Sequence, residues 1–442
     1  QGFSLGNQND FSIMETQENV WNHRLEHLQT TAPHQPEAIE IAAVLGVHFD
    51  EQLWLRICDV QEIPQINNVL AQLTRHGMLH YEEEHLLSFT HPLLRQSILG
   101  QAMKRGRLRR LHRLCAKELS LDNDQSPDFQ ETLLSHWMQA ESWNEALNCL
   151  DTLIEKRFAH SRLNGMSTLL RQREFLVETL YIPKSHIRYG KTLTYKLELS
   201  RLQENNASVI KLSKILLPKV RTGPWRPLAF HVFSSLGLYR AQKHDLHKAE
   251  KYYREALCLC PDHEMTKGLM NFHLGDISYE RNDLAKAREY YETAENILSR
   301  YNWIKRQGDC NYRLGDLAWL NNEPKKAEHY WQNALQLYRK ENNHRGESLI
   351  FNSWGELERM SGNYAVAENH YRKSLDLLRP IGASFNINLY KINLGLVLLA
   401  QQKFDKSIRI LEEAGHFFQT YNRVYLSKSC KFAVLLSQSA LN

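Results

Sequence analysis

The 442-residue sequence predicts a mainly α protein: a smaller front module of helices and two short strands, then an α-α superhelical solenoid of helical hairpins. Three observations carry this. Gly and Pro number only 20 and 12, below the average usage of about 7% and about 5%, as short loops between helices require. Five glycines recur after a large apolar residue, at Gly237, Gly275, Gly315, Gly355 and Gly395, spaced by 38, 40, 40 and 40 residues. Around each glycine the same order of small and bulky residues returns, and a fixed period is the mark of stacked repeats.

That order is specific. Twelve residues after each glycine stands a small residue (Ala249, Ala287, Ala327, Ala367, Ser407). Four further on comes a bulky one (Tyr253, Tyr291, Trp331, Tyr371, Leu411), and three later another small one (Ala256, Ala294, Ala334, Ser374, Ala414). The glycine lets two helices approach closely, the small residues let the second helix nest, and the bulky side chain fills the gap. Asn282, Asn322 and Gly362 fall where the intervening turn needs a left-handed residue. From Pro224 onward the chain closely resembles tetratricopeptide repeats, in a longer-helix form than the minimal 34-residue unit. Tyr421–Ser439 is expected to form one more first helix, acting as a cap or marking a truncation.

Residues 121–223 are expected to hold degenerate helical repeats. The run from His136 to Ala146 has the turn-aromatic-Ala pattern of a hairpin's second half, and Leu163–Thr179, Leu193–Gln203 and Ser208–Val220 read as amphipathic helices. Ahead of them, with 1–17 as linker, residues 18–120 outline a winged-helix-like module. Helices are expected at Val20–Thr30, Glu37–Leu45, Asp50–Cys58 and Ile66–His76, the last closed by Gly77. Met78–Tyr81 and Leu86–Thr90 read as strands around the acidic turn Glu82–Glu84, followed by one helical stretch, Pro92–Leu119.

Two runs in this region are familiar: Ile41 to Asp50 (IAAVLGVHFD) and Phe89 to Gln96 (FTHPLLRQ), followed by Arg109 to His112 and by His136-Trp137. In this order they resemble bacterial STAND-class signalling ATPases, which join a nucleotide-binding core, a winged helix and a tetratricopeptide sensor, with kinase-linked and cyclase-linked members. The resemblance implies that ATP or ADP is bound by an upstream ATPase domain of the same polypeptide, and that His91 senses its phosphates. Pro92 departs from the related eukaryotic proteins, which carry an Asp there. The alternative for His91 is local packing at a helix start. A chain beginning Gln-Gly-Phe is expected to be a piece of a longer polypeptide.

Chemistry of its own is missing from the sequence. No Gly-x-x-x-x-Gly-Lys-Ser/Thr loop, His-Arg-Asp loop, His-Glu-x-x-His or Gly-x-Ser-x-Gly occurs. The chain is therefore expected to be non-enzymatic, with no catalytic residue, cofactor or metal of its own. Seven scattered cysteines read as free thiols in a reducing cytoplasm, and Cys258-x-Cys260 as small side chains on a repeat helix. No apolar run reaches the roughly 20 residues a bilayer span needs, so no membrane partner is expected. A net charge of +5 gives no global nucleic-acid signature.

In tetratricopeptide arrays the first helix of each hairpin lines the concave face, with inward residues at fixed offsets from the repeat glycine. Those offsets select as partner-binding candidates Phe272, Asp276, Tyr279 and Glu280, then Tyr312, Asp316 and Trp319, then Glu356 and Arg359, with an apolar end around Leu389 and Leu396. Acids beside aromatic platforms favour a protein or peptide with basic residues, although some of the aromatics could instead be packed between repeats. The basic stretch Lys104, Arg105, Arg107, Arg109, Arg110 and Arg113 is a second surface. It could contact phosphates, form one solvated helix side, or dock on the ATPase core; nucleic acid is the least favoured. The leading expectation is the sensor half of a signalling ATPase. The alternatives are a self-standing peptide-responsive transcription regulator and an assembly scaffold.

Overall fold

Helices dominate because the apolar residues repeat at helical spacing and left-handed residues punctuate them. The computed structural model describes residues 35–440 apart from 123, 125, 160–162, 261–262 and 422. The linker 1–17 and the segment Val20–Thr30 lie outside the described residues. Two compact units divide between Gln203 and Glu204, and the described residues hold 21 α-helices and one small sheet.

The first unit opens with α1 (Gln35–Leu45), β1 (His48–Asp50), α2 (Glu51–Val60) and α3 (Ile66–Arg75). Then come β2 (Leu79–Glu83), β3 (Leu86–Phe89), α4 (Pro92–Lys104) and α5 (Leu108–Leu119). Asp50 ends β1 and caps α2, accepting from Leu53 N at 2.7 Å. Gly77 at φ +63° closes α3 and His85 at φ +67° turns the hairpin. The sheet is antiparallel in the order β1-β3-β2, with His48 opposite Ser88 and Leu79 opposite Phe89.

Two expectations need correction. The sheet has three strands rather than two, because His48–Asp50 adds to the free edge of β3. The single stretch Pro92–Leu119 is two helices, broken where Gly106 takes φ +69° and Arg107 N turns back to Ala102 O. Trp54, Ile57, Phe49, Leu87 and Ile98 fill a common core with α1.

Four further helices complete the unit: α6 (Pro127–Gln139), α7 (Trp143–Ala159), α8 (Met166–Thr179) and α9 (Ile187–Leu202). At their centre Arg173 is fully buried. It donates from Nε to Asp151 Oδ1 at 2.6 Å and from Nη1 to Arg188 O at 2.9 Å, with Thr192 Oγ1 as a further acceptor.

A histidine pair ties α5 to α6, with His112 Nδ1 3.0 Å from His136 Nδ1. One ring must donate and the other accept, so the contact requires neutral imidazole. Burial, with the Arg95 charge nearby, pulls both rings down to about 4; His136 also feels His112. Unfolded histidine binds its proton near pH 6.5, so between roughly pH 6.5 and 4 the unfolded chain holds more protons. Stability of this unit is complete above that window and is lost as pH falls through it. Urea unfolding is expected to show a loss of roughly 3–4 kcal/mol between pH 7 and pH 5, about half from each ring, abolished in a His112→Phe/His136→Phe variant. An equal loss in the variant would show that other groups are responsible.

The second unit begins with α10 (Asn206–Arg221), followed by a 3₁₀ turn (Arg226–Leu228) and five hairpins. These are α11 (Ala229–Gln242) with α12 (Leu246–Leu259), α13 (Glu264–Glu280) with α14 (Leu284–Arg300), and α15 (Ile304–Leu320) with α16 (Pro324–Lys340). The last two are α17 (His344–Met360) with α18 (Tyr364–Leu378), and α19 (Ser384–Ala400) with α20 (Phe404–Thr420). A single helix, α21 (Val424–Ser439), packs against α20.

Each repeat glycine lies under the bulky residue 16 positions later. A Cβ on Gly275, Gly355 or Gly395 would come within 2.6 Å of Tyr291, Tyr371 or Leu411. Gly237 and Gly315 make the same contact with Tyr253 and Trp331. The flanking small residues, Ala249 to Ala414, are all buried. Asn282, Asn322 and Gly362 take φ +61°, +59° and +80° in the turns, as their positions predict.

Candidate functional site

First helices of neighbouring hairpins touch one another and so share a face: α11 meets α13, α15 meets α17, and α17 meets α19, while α15 reaches α13 through the Arg313–Asp276 ion pair. The acids on that face are set by packing within the hairpin. One residue after the repeat glycine, Asp276, Asp316 and Glu356 each accept from the bulky residue of their own second helix. Tyr291 Oη donates to Asp276 at 2.8 Å, Trp331 Nε1 to Asp316 at 3.3 Å and Tyr371 Oη to Glu356 at 2.5 Å. In the fifth hairpin Leu411 has no polar tip, and the matching position is Leu396.

Asp276, Tyr279, Tyr312 and Asp316 come together around a residue that the offsets do not select, Arg313. Its Nε lies 3.0 Å from Asp276 Oδ1 and its Nη1 3.9 Å from Asp316 Oδ2. Its guanidinium carbon is 5.7 Å from the Tyr279 ring centre and 5.9 Å from that of Tyr312. The place the sequence assigns to an incoming cation thus holds an arginine of the chain itself, with 34% of its side chain exposed.

The two acids respond differently. Burial raises the Asp276 carboxyl, but hydrogen bonds from His273 and Tyr291 and the Arg313 charge outweigh it and hold it below its ordinary value. Asp316, farther from Arg313, is dominated by burial and is pushed up to about 7. A raised carboxyl stabilises the fold below its unfolded value and loses that contribution as pH rises through 7, opposite in sign to the histidine pair.

The remaining candidates separate. Phe272 is core, 6% exposed, with its ring 5.6 Å from Tyr291. Trp319 is half-buried beside Tyr312 in the next cluster, and Glu280 is exposed at the end of α13. Glu356 and Arg359 pair with each other at 2.7 Å. Asn352 and Asn393, joined at 3.0 Å, continue the face toward Leu396.

His91 caps α4: its Nδ1 accepts from Leu93 N at 3.2 Å, which places the proton of the neutral ring on Nε2. Most of the basic stretch is engaged within its own unit. Arg105 and Arg107 lie 3.3 and 2.6 Å from buried Glu40. Arg109 pairs with Glu141, Arg110 with Glu37, and Arg113 donates to Ser142 Oγ at 3.2 Å. Burial raises the Glu40 carboxyl despite Arg107 and Arg105. Among the described residues no group of His, Cys, Asp and Glu could hold a metal ion. None of their helices is long and apolar enough to cross a membrane.

The tetratricopeptide repeat family matches residues 309–379. No curated protein sequence matches the chain. Among solved structures, BtubC from P. vanneervenii is 18% identical over 54% of this chain and 92% of its own, with a TM-score of 0.38. A STAND protein with a tetratricopeptide repeat sensor from Pyrococcus horikoshii is 14% identical over 94% of this chain, at a TM-score of 0.44. The match spans 55% of that protein's length. A Rap protein complexed with competence and sporulation factor is 12% identical over 67% of this chain and 98% of its own, with a TM-score of 0.48.

Proposed function

We propose that this chain is the sensor and regulatory portion of a signal-transduction ATPase of the STAND class. Its first-helix face, the concave side of the array, receives a protein or peptide, and a winged helix over residues 18–120 passes the signal to an upstream ATPase domain. That domain would hold the ATP or ADP, with His91 facing the phosphates through Nε2. This chain would act in the cytoplasm and hydrolyse nothing.

The observation that carries the binding role is the half-exposed cluster around Arg313. Tyr279, Tyr312 and the two aspartates make a polar and aromatic platform, and Arg313 already draws on the charge of both acids. A partner with a basic residue would then be held chiefly by Asp316 and Glu280, and a carboxylate of the same partner by the outward donors of Arg313. The pairing of Arg105, Arg107, Arg109 and Arg110 with Glu40, Glu141 and Glu37 of their own unit offsets much of the positive charge of that stretch, which weighs against phosphate contacts there and so favours the sensor reading over the transcription-regulator alternative.

The test is peptide selection on the full chain. Displayed random peptides that bind wild type are expected to lose binding at least tenfold, roughly 1.4 kcal/mol, on a Tyr279→Ala/Trp319→Ala/Arg313→Ala variant with unchanged circular dichroism. Binders indifferent to all three changes would remove this face from the proposal. The ATPase link rests separately on the coding sequence upstream of Gln1, where a phosphate loop is expected.

A further inference from the structure

We propose that the outward face of α21 docks an amphipathic helix from a partner protein, apolar along its centre and acidic along its rim. Helix α21 starts 40 residues after α19, at Val424 against Ser384, so each residue of one helix has a counterpart in the other. Ser427, Cys430, Val434 and Ser437 face inward and are buried. The opposite face of α19 is covered by α20: Leu411 lies on Gly395, Ser407 Oγ donates to Gly395 O at 2.8 Å, and Lys391 pairs with Glu413 at 2.9 Å.

In α21 the counterpart of Gly395 is Leu435, and the face around it, turned away from the buried side chains, is open and apolar. Tyr425, Phe432, Leu435 and Leu436 are 81%, 64%, 62% and 44% exposed. Four such side chains on one 16-residue helix, at i, i+7, i+10 and i+11, form a stripe rather than scattered surface residues. Size sets the geometry of what can cover it. Where the hairpins carry Gly268, Gly308, Ser348 and Asn388, α21 carries Lys428; where they carry the repeat glycine, it carries Leu435. A helix cannot settle here as closely as α20 does on α19. It must sit farther out and offer a small residue to Leu435, the reverse of the Leu411–Gly395 contact.

Charge sets the partner's chemistry. Helix α21 contains Lys428 and Lys431 and no acid, and no ion pair among the described residues involves either lysine. Lys431 is the counterpart of Lys391, whose partner is a glutamate on the covering helix. An acidic rim therefore completes the face, whereas a second copy of α21 would set lysine against lysine.

A probe can be cut from the chain's own covering helix: a stapled peptide of residues 404–420 with Leu411→Ala, titrated into the full-length chain by fluorescence anisotropy. This peptide is expected to bind. The unaltered sequence should bind about fivefold more weakly, because its Leu411 meets Leu435, and a Glu413→Lys peptide about tenfold more weakly. Phe432→Asp or Leu436→Asp in the chain, both at exposed positions, should each abolish binding with circular dichroism unchanged. Two results would overturn the proposal. One is no binding, or binding indifferent to Phe432 and Leu436, as insertion elsewhere in the array would give. The other is self-association of the chain, seen by sedimentation and lost in Phe432→Asp, which would assign the face to a second copy.

Discussion

Trp331→Ala is expected to destabilise the array by about 3–5 kcal/mol, the cost of emptying a site filled by a large buried aromatic. The ring is 2% exposed and lies on Gly315, and its Nε1 donates to Asp316. Its loss therefore opens a cavity and removes a donor from an already costly carboxylate. The companion change is more diagnostic. Gly315→Ala drives a methyl into the indole and is expected to cost about 1–3 kcal/mol in the wild type. In the Trp331→Ala background the same substitution meets open space, and alanine's helix preference of up to about 1 kcal/mol should make it stabilising. Denaturant midpoints of the four proteins close the cycle; the same sign for Gly315→Ala in both backgrounds would contradict the packing described here.

The second large effect belongs to the first unit. Arg173→Met is expected to cost about 3–5 kcal/mol, because it strips a half-buried carboxylate, a carbonyl and a hydroxyl of their shared donor. Lys191, 3.2 Å from Asp151, softens the loss without replacing the donors to Arg188 O and Thr192. Pairing it with Asp151→Leu should recover at least half of the loss, since no unpaired charge then remains. Calorimetry on the two single variants and the double variant checks this. A double variant as unstable as the sum of the singles would mean that the site depends on shape rather than on charge pairing.

The parts of the fold that could be read from the sequence are those written locally. Gly315, Ala327, Trp331 and Ala334 act on one another within a single hairpin, at separations the chain repeats five times. Their contacts follow from the spacing alone. The three-residue strand His48–Asp50 carries no alternation long enough to notice, and its pairing with β3 depends on residues 36 to 40 positions away. The break at Gly106 was hidden because the apolar and basic pattern on either side stays helical, and only the left-handed glycine divides it.

The candidate site divides in the same way. Asp276, Asp316 and Glu356 were recognisable as face residues from their offsets. Their bonds to Tyr291, Trp331 and Tyr371 have only a weak signal in the sequence: the acid vanishes with the aromatic at Leu396 and Leu411, but Leu238 stands opposite an aromatic, Tyr253. Arg313 could not be found by an offset rule, since no other hairpin has arginine there: the counterparts are Ser235, His273, Ser353 and Asn393. It matters only because Asp276 and Tyr279, on a different helix, come within its reach. The basic stretch misled for a related reason. Glu37, Glu40 and Glu141, which neutralise it, are scattered along the chain and converge only in space.

The constant interval between helix starts, at residues 264, 304, 344, 384 and 424, has a consequence for how this array can change its length. Excising residues 304–343 would join two equivalent points on the helical screw. Helix α14 would then meet α17 in the orientation in which it now meets α15, through side chains already shaped for that kind of joint. The shortened chain would lose Arg313 and its cluster but would inherit a finished packing solution. Reach and recognition can thus be edited one hairpin at a time, and the chain can gain or lose such a step without solving its core again.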